Sequence, residues 1–279
     1  MERKVVKKVQ GFRTTDGAGV SLVRVLGHDT VYDFDPFLML DSFDSTNPKD
    51  YEAGFPTHPH RGIETVSFLA KGKMTHKDHL GAEQVISDGE AQWLTAGSGV
   101  FHSEQPAGDR LLGLQLWLNM PAKDKMAAPP AYHGILRDEI KEFTFEGGYL
   151  RLLAGEYMGN KGWQGKYLPL DYYDIHLNSN SNITLDVKKD NTVMIFTLLG
   201  DVSVGEEKID EKSAALLSEG NKVTFMAGNN GAQVLLMSAP PTKEPIAWYG
   251  PIVMNSQEEI RTAVHELNNG TFIKKGTEY

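Results

Sequence analysis

Residues 63–71, Ile-Glu-Thr-Val-Ser-Phe-Leu-Ala-Lys, alternate along the chain, with Ile63, Thr65, Ser67 and Leu69 opposed to Glu64, Val66, Phe68 and Ala70. A period of two predicts a half-buried β-strand, because successive side chains of extended backbone point to opposite faces. Gly72-Lys73 then reads as a turn, 74–80 as the return strand, and 84–86 and 91–95 as further short strands. The Gly97-Ser98-Gly99 loop leads into 100–104, and 112–119 alternates strictly with leucines on one face. From Met120 to Pro130 the sequence turns polar and proline-rich, as at the approach to an interdomain connection. Strand signals resume at 149–154, 173–177, 183–187, 193–199, 202–204, 214–217, 222–226 and 233–237, with glycine- or asparagine-rich turns between them. The clearest helix is at 256–267, where Ile260, Val264 and Leu267 form a stripe and Asn268-Asn269-Gly270 is a stop signal.

With 279 residues the chain has room for two domains of ordinary size, and 28 glycines and 13 prolines suit a turn-rich β architecture. The expected division is 1–134 and 135–279. A formal charge of −9 opposes an extended nucleic-acid surface, since phosphate binding relies on clustered Lys and Arg. The basic opening Met1 to Lys8 is followed by no apolar stretch, and no run nears the roughly 18 apolar residues of a membrane span. The expectation is a cytoplasmic protein, or a nuclear one in a eukaryotic cell, without membrane contact. Cysteine is absent, which removes disulfides, thiolate nucleophiles and thiolate-bound metals together. Any metal must then be held by His, Asp or Glu.

Two pairs offer such a set: His58-Pro59-His60 and His102-Ser103-Glu104. In a strand, residues i and i+2 share a face, so each pair can approach one ion from one side. Three imidazoles and a carboxylate suit Fe(II), Mn(II), Co(II), Ni(II), Cu(II) or Zn(II). Alone, His58 and His60 read rather as loop histidines ordered by Pro56 and Pro59; the second pair turns the reading to a metal site. Glu104 has a competing reading as an ion-pair partner of Arg61 or Arg110, and Arg61 either holds an anion or makes a structural ion pair. His76 is placed to face a barrel interior, which His79 then cannot share. His28, His133, His176 and His265 are isolated and read as structural or solvated. Gly97 and Gly99 lack the Lys-Ser/Thr of a phosphate loop and read as the tight turn before His102.

Gly54, His58, His60 and Glu64, followed by Gly97, Gly99 and His102, resemble the two motifs of the cupin superfamily. The longer strings Phe55 to Val66, Gln92 to Glu104, Gly113 to Asn119 and Glu244 to Asn255 resemble the pirin family, over nearly the whole chain. The resemblance implies an all-β fold of two tandem cupin domains, jelly-roll-like β-barrels, with a short C-terminal helix. It implies a metal only in the N-terminal barrel, which agrees with a second strand set holding His176 and no His-x-His. His58, His60, His102 and Glu104 match the family's ligands, and Glu64 then stands beside the ligands without binding the metal. The implied cofactor is Fe(II), with other divalent transition metals open. The implied activity is a quercetin 2,3-dioxygenase type of cleavage of flavonols with O2, Glu104 doubling as catalytic proton acceptor. The alternative is an iron-dependent, redox-sensitive regulatory protein acting through protein partners, which suits the acidic balance better than direct nucleic-acid binding.

Overall fold

The strands marked by alternation are present, but the glycines between them bend strands more often than they end them. In the computed structural model, which describes residues 1–274, Ile63–Asp78 is one strand of sixteen residues paired with the twenty-residue strand Val100–Asn119. Their register shifts between Leu69 and Lys71 and again between Lys71 and Lys73. Gly72 sits there at φ +105°, and a Cβ on it would lie 2.6 Å from the Arg110 carbonyl oxygen. Only glycine fits this bulge, and the bulge lets the strand bend and continue. The turn expected at Gly72-Lys73 is therefore a bend. In the second set the segments 193–199 and 202–204 fuse into Thr192–Val204, and 222–226 and 233–237 into Lys222–Ala239.

Among the described residues the strands form two nine-stranded antiparallel sheets and two small hairpins. One sheet runs Ala131–Ile135, Glu90–Thr95, Ile63–Asp78, Val100–Asn119, Phe37–Ser45, Val20–Leu26, Phe12–Asp16, with Phe55–His60 added along Val100–Asn119. The other is built on Thr192–Val204, Lys222–Ala239 and Asp171–Leu177. This is the all-β plan of two cupin barrels with a short C-terminal helix. Residues 63–70 are buried on both faces but for a half-buried Ala70, where alternation alone predicted a half-buried strand.

The chain divides into two compact units: residues 1–12, 23–36 and 137–241, and residues 13–22, 37–136 and from 242 onward. Val5–Gln10 pairs with Ser213–Leu217. The helix Gln257–Asn268 buries Ile260 and Ala263 in a cluster with Ile252, Met254 and Phe272, against which Phe101 packs. Ser256 caps that helix, accepting from the Glu259 amide while donating to the Glu259 carboxylate at 2.8 Å. This reciprocal cap fixes the helix start one residue after the sequence signal.

The two interiors differ in kind. In the second set a continuous apolar cluster includes Leu150, Ile175, Ile195, Val234 and Leu236. In the first, the apolar cluster of Val20, Phe43, Leu69, Met74, Ile86 and Leu111 is accompanied by buried His76, Gln92, His102 and Glu104. Each fully buried Leu or Phe contributes about 1.5–3 kcal/mol, so an interior that gives such positions to polar groups must satisfy them with one another. No helix among the described residues is long and apolar enough to cross a membrane.

Candidate metal centre

Phe55–His60 pairs antiparallel with Val100–Asn119, setting His58 opposite His102 and His60 opposite Val100. The three imidazoles converge, with ring centroids 4.4–5.0 Å apart and one nitrogen from each within 4.8 Å of the others. His60 and His102 are buried and His58 is half-buried.

Their hydrogen bonds define the tautomers. His58 Nδ1 lies 2.8 Å from the Pro56 carbonyl and His60 Nδ1 lies 3.0 Å from the Pro251 carbonyl. A carbonyl only accepts, so both Nδ1 atoms carry the proton, and in the neutral rings each Nε2 carries a lone pair. Those two Nε2 atoms face each other at 3.1 Å. Two lone pairs so placed repel, and a cation between them converts repulsion into coordination. The spacing suits it: metal–nitrogen bonds of about 2.1 Å at a right angle put two nitrogens about 3 Å apart. Both nitrogens of His102 are buried without a hydrogen-bond partner. Burial, reinforced by the His58 ring, pulls the His60 pKa down to about 3. Burial and the neighbouring histidines hold His102 well below the usual range. Neutral rings are the form that binds metal.

Glu104 lies outside this imidazole group, and its carboxylate is clamped from both sides. Oε1 accepts a short hydrogen bond from the Gln92 amide, and Oε2 accepts from Gln115 Nε2 at 2.9 Å. Both amides are themselves oriented: Gln92 Oε1 accepts from the Tyr132 hydroxyl at 3.1 Å, and Gln115 Oε1 from Trp117 Nε1 at 3.3 Å. The Trp117 ring in turn meets His60 edge-on at 5.0 Å. Two amide donors keep the carboxylate an acceptor and leave it further lone pairs. Neither cation weighed as its partner reaches it: Arg110 pairs with Asp44 at 2.7 Å and Arg61 turns elsewhere.

Arg61 is 1% exposed. It donates to the Ser98 carbonyl at 2.8 Å, the Glu266 carboxylate at 2.6 Å and the Phe272 carbonyl at 2.7 Å, and lies over the Phe272 ring. It is a structural latch and does not face the imidazoles. Gly97 (φ +49°) and Gly99 (φ +142°) shape the turn before His102, and a Cβ on Gly97 would lie 2.3 Å from the Ala128 carbonyl. His76 is fully buried, as expected; it stacks on Tyr132 at 4.0 Å and meets Asp78 Oδ2 at 3.1 Å. His79 is exposed.

Glu64 departs from its expected place beside the ligands. It opposes Thr95 and Leu118, whereas Ser67 opposes Gln92 and Gln115 in an unbroken register. Three residues of regular strand put Glu64 on the other face. Fully buried, it accepts from Thr95 Oγ1 at 2.6 Å, and burial raises its pKa to about 7.

Gln92, Gln115, Tyr132, Pro251 and Lys125 escaped sequence reasoning. The glutamines left a signal: Gln115 and Trp117 are the interior phase of the strand whose exterior phase is Leu114, Leu116 and Leu118, all fully buried.

Residues 19–118 match the family profile described as Pirin, and residues 172–273 the Pirin C-terminal cupin domain. A Pirin-like protein of Caulobacter vibrioides is 40% identical, with 97% of this chain and 99% of that protein covered. Human Pirin is 34% identical, with 96% and 93% covered. The crystal structure of a quercetin 2,3-dioxygenase from Acinetobacter baumannii superposes with a TM-score of 0.89 at 32% identity, covering 98% of this chain and 99% of that one.

Proposed function

This chain belongs to the pirin family of bicupins, and from that premise we propose that it is a metal-dependent dioxygenase of the quercetin 2,3-dioxygenase type, acting in the cytoplasm with Fe(II) as its ion. The observation that carries the reading is the 3.1 Å approach of the Nε2 atoms of His58 and His60, whose Nδ1 atoms face carbonyls, beside a His102 with neither nitrogen bonded. The likeness to a protein named as a quercetin 2,3-dioxygenase supports the substrate class.

His58, His60 and His102 hold the ion in this reading, with Glu104 as fourth ligand and catalytic proton acceptor. When bound, the ion supplies a Lewis acid and open coordination positions. Glu104, kept an acceptor by Gln92 and Gln115, takes the proton of the flavonol's central-ring hydroxyl and so raises the electron density of that ring. The carbonyls of Pro56 and Pro251 keep His58 and His60 in the ligating tautomer throughout. Overall both atoms of O2 enter the flavonol, its central ring opens, and one carbon leaves as carbon monoxide.

The test is oxygen uptake by protein reconstituted anaerobically with Fe(II), on adding quercetin, beside His60→Ala. Uptake with carbon monoxide release in the native protein alone is the expected result. No uptake despite stoichiometric iron would discard the dioxygenase reading.

A further inference from the structure

Lys125 ends the one-turn helix Ala122–Lys125, inside the stretch whose composition suggests a connector. It is nonetheless 1% exposed. Its ammonium donates to the Gly62 carbonyl at 2.8 Å, the Asn119 side-chain oxygen at 2.7 Å and the Val253 carbonyl at 2.9 Å. Three N–H bonds meet three acceptors, none of them a carboxylate. Burial pulls the Lys125 pKa down to about 7, opposed by Glu244 and Glu259. The three acceptors favour the charged form against that burial, because each of its protons is used.

Two of those acceptors flank His60. Gly62 follows it by two residues, and Val253 follows Pro251, the acceptor of the His60 Nδ1 proton, by two residues. The same segments meet through Val253 N donating to the Arg61 carbonyl at 3.1 Å, in a parallel bridge between Arg61 and Ile252. They approach so closely that a Cβ on Gly62 would lie 2.0 Å from the Val253 oxygen. The Gly62 and Val253 carbonyl oxygens point at one ammonium, whose charge offsets their mutual repulsion.

We propose that Lys125 is a positioning residue of the metal centre: it ties the loop after His60 to the hairpin that carries Pro251, and so sets the tautomer and ring plane of His60. The inference rests on reading the imidazoles as metal ligands. It adds a determinant far from them in sequence that touches neither metal nor substrate. The role belongs to the backbone register between two strands, with the ammonium as the pin.

Co(II) titration of metal-free protein, followed by its visible absorption, tests it. Lys125→Met is expected to weaken Co(II) binding roughly tenfold, the lower end for outer partners of a metal ligand, and to shift the absorption band because His60 is less constrained. Thr197→Val serves as a stability control, since Thr197 bonds buried carbonyls in the other unit. It should lower Tm and leave affinity and band unchanged. Lys125→Gln, which keeps two donors, and Lys125→Met/Asn119→Leu, which removes one orphaned acceptor, give the same comparison with less cost to folding. Native affinity and an unshifted band in the folded Lys125 variants, with only Tm lowered, would overturn the proposal. If the native protein itself binds no Co(II), the metal-centre reading fails first, and that is visible before any variant is measured.

Discussion

The Tyr132 hydroxyl donates to Gln92 Oε1 at 3.1 Å, and so braces the amide whose other end donates to Glu104. Burial, followed by the charges of Glu104 and Asp78, raises the Tyr132 pKa far above its usual value, so the phenol remains a donor at any working pH. Tyr132→Phe keeps the ring stacked on His76 and removes only the hydroxyl. Gln92 Oε1 then loses its donor, and the amide that holds Glu104 is less constrained. The expected outcome is a stability loss of about 1 kcal/mol and metal affinity lowered up to about tenfold, read by chemical denaturation and metal titration.

His60→Ala and His102→Ala should each abolish thermal stabilisation by divalent metal. A ligand present at about a hundred times its Kd stabilises the folded state by about 2.7 kcal/mol. The native protein should therefore melt at a higher temperature when Fe(II), Ni(II) or Co(II) is added, and the variants should not. A variant that keeps the full shift would remove its histidine from the ligand set.

Glu64 predicts a pH dependence unrelated to the metal. Its pKa is raised from 4.5 to about 7, first by burial and further by Asp124, with Thr95 and Trp93 opposing. The native state therefore holds a proton that the unfolded chain releases above about pH 4.5. Stability should fall as pH rises from about 4.5 to 7 and level off beyond, by on the order of 3 kcal/mol for a shift of that size. Glu64→Gln, which can still accept from Thr95, should flatten the slope in urea denaturation across that range.

Gly62→Ala should cost at least about 2 kcal/mol. Gly62 sits at φ +78°, strained for any residue with a Cβ, and the added carbon would clash with the Val253 oxygen. Because the clash forces the 252–254 strand away from His60, metal affinity should fall with stability. Unchanged affinity would show that the hairpin is dispensable to the site.

The parts of this molecule legible in the sequence are those specified locally. The i, i+2 spacing of His58 and His60 and the Ser256-Glu259 cap are written within a few residues, and the structure forms both. The strand bends are not legible, because glycine permits a bulge as readily as a turn and the partner strand decides which. Gly72 becomes a bend since Val100–Asn119 continues past it. The position of Glu64 in a motif suggests a place beside the imidazoles, whereas its separation from Ser67 puts it on the other face of the strand. Lys125 and Pro251 left no local signal, because their roles depend on backbone groups 63 and 191 residues away.

That last distance has a consequence for biosynthesis. Ribosomes add roughly 5–20 residues per second, so His60 emerges some 10–40 s before the carbonyl that orients it. All three imidazoles are made while the hairpin, the helix and the Arg61 latch do not yet exist. An ion captured by the nascent chain would meet a His60 ring free to choose either nitrogen, and that ring would be fixed only as the last residues fold back onto the loop.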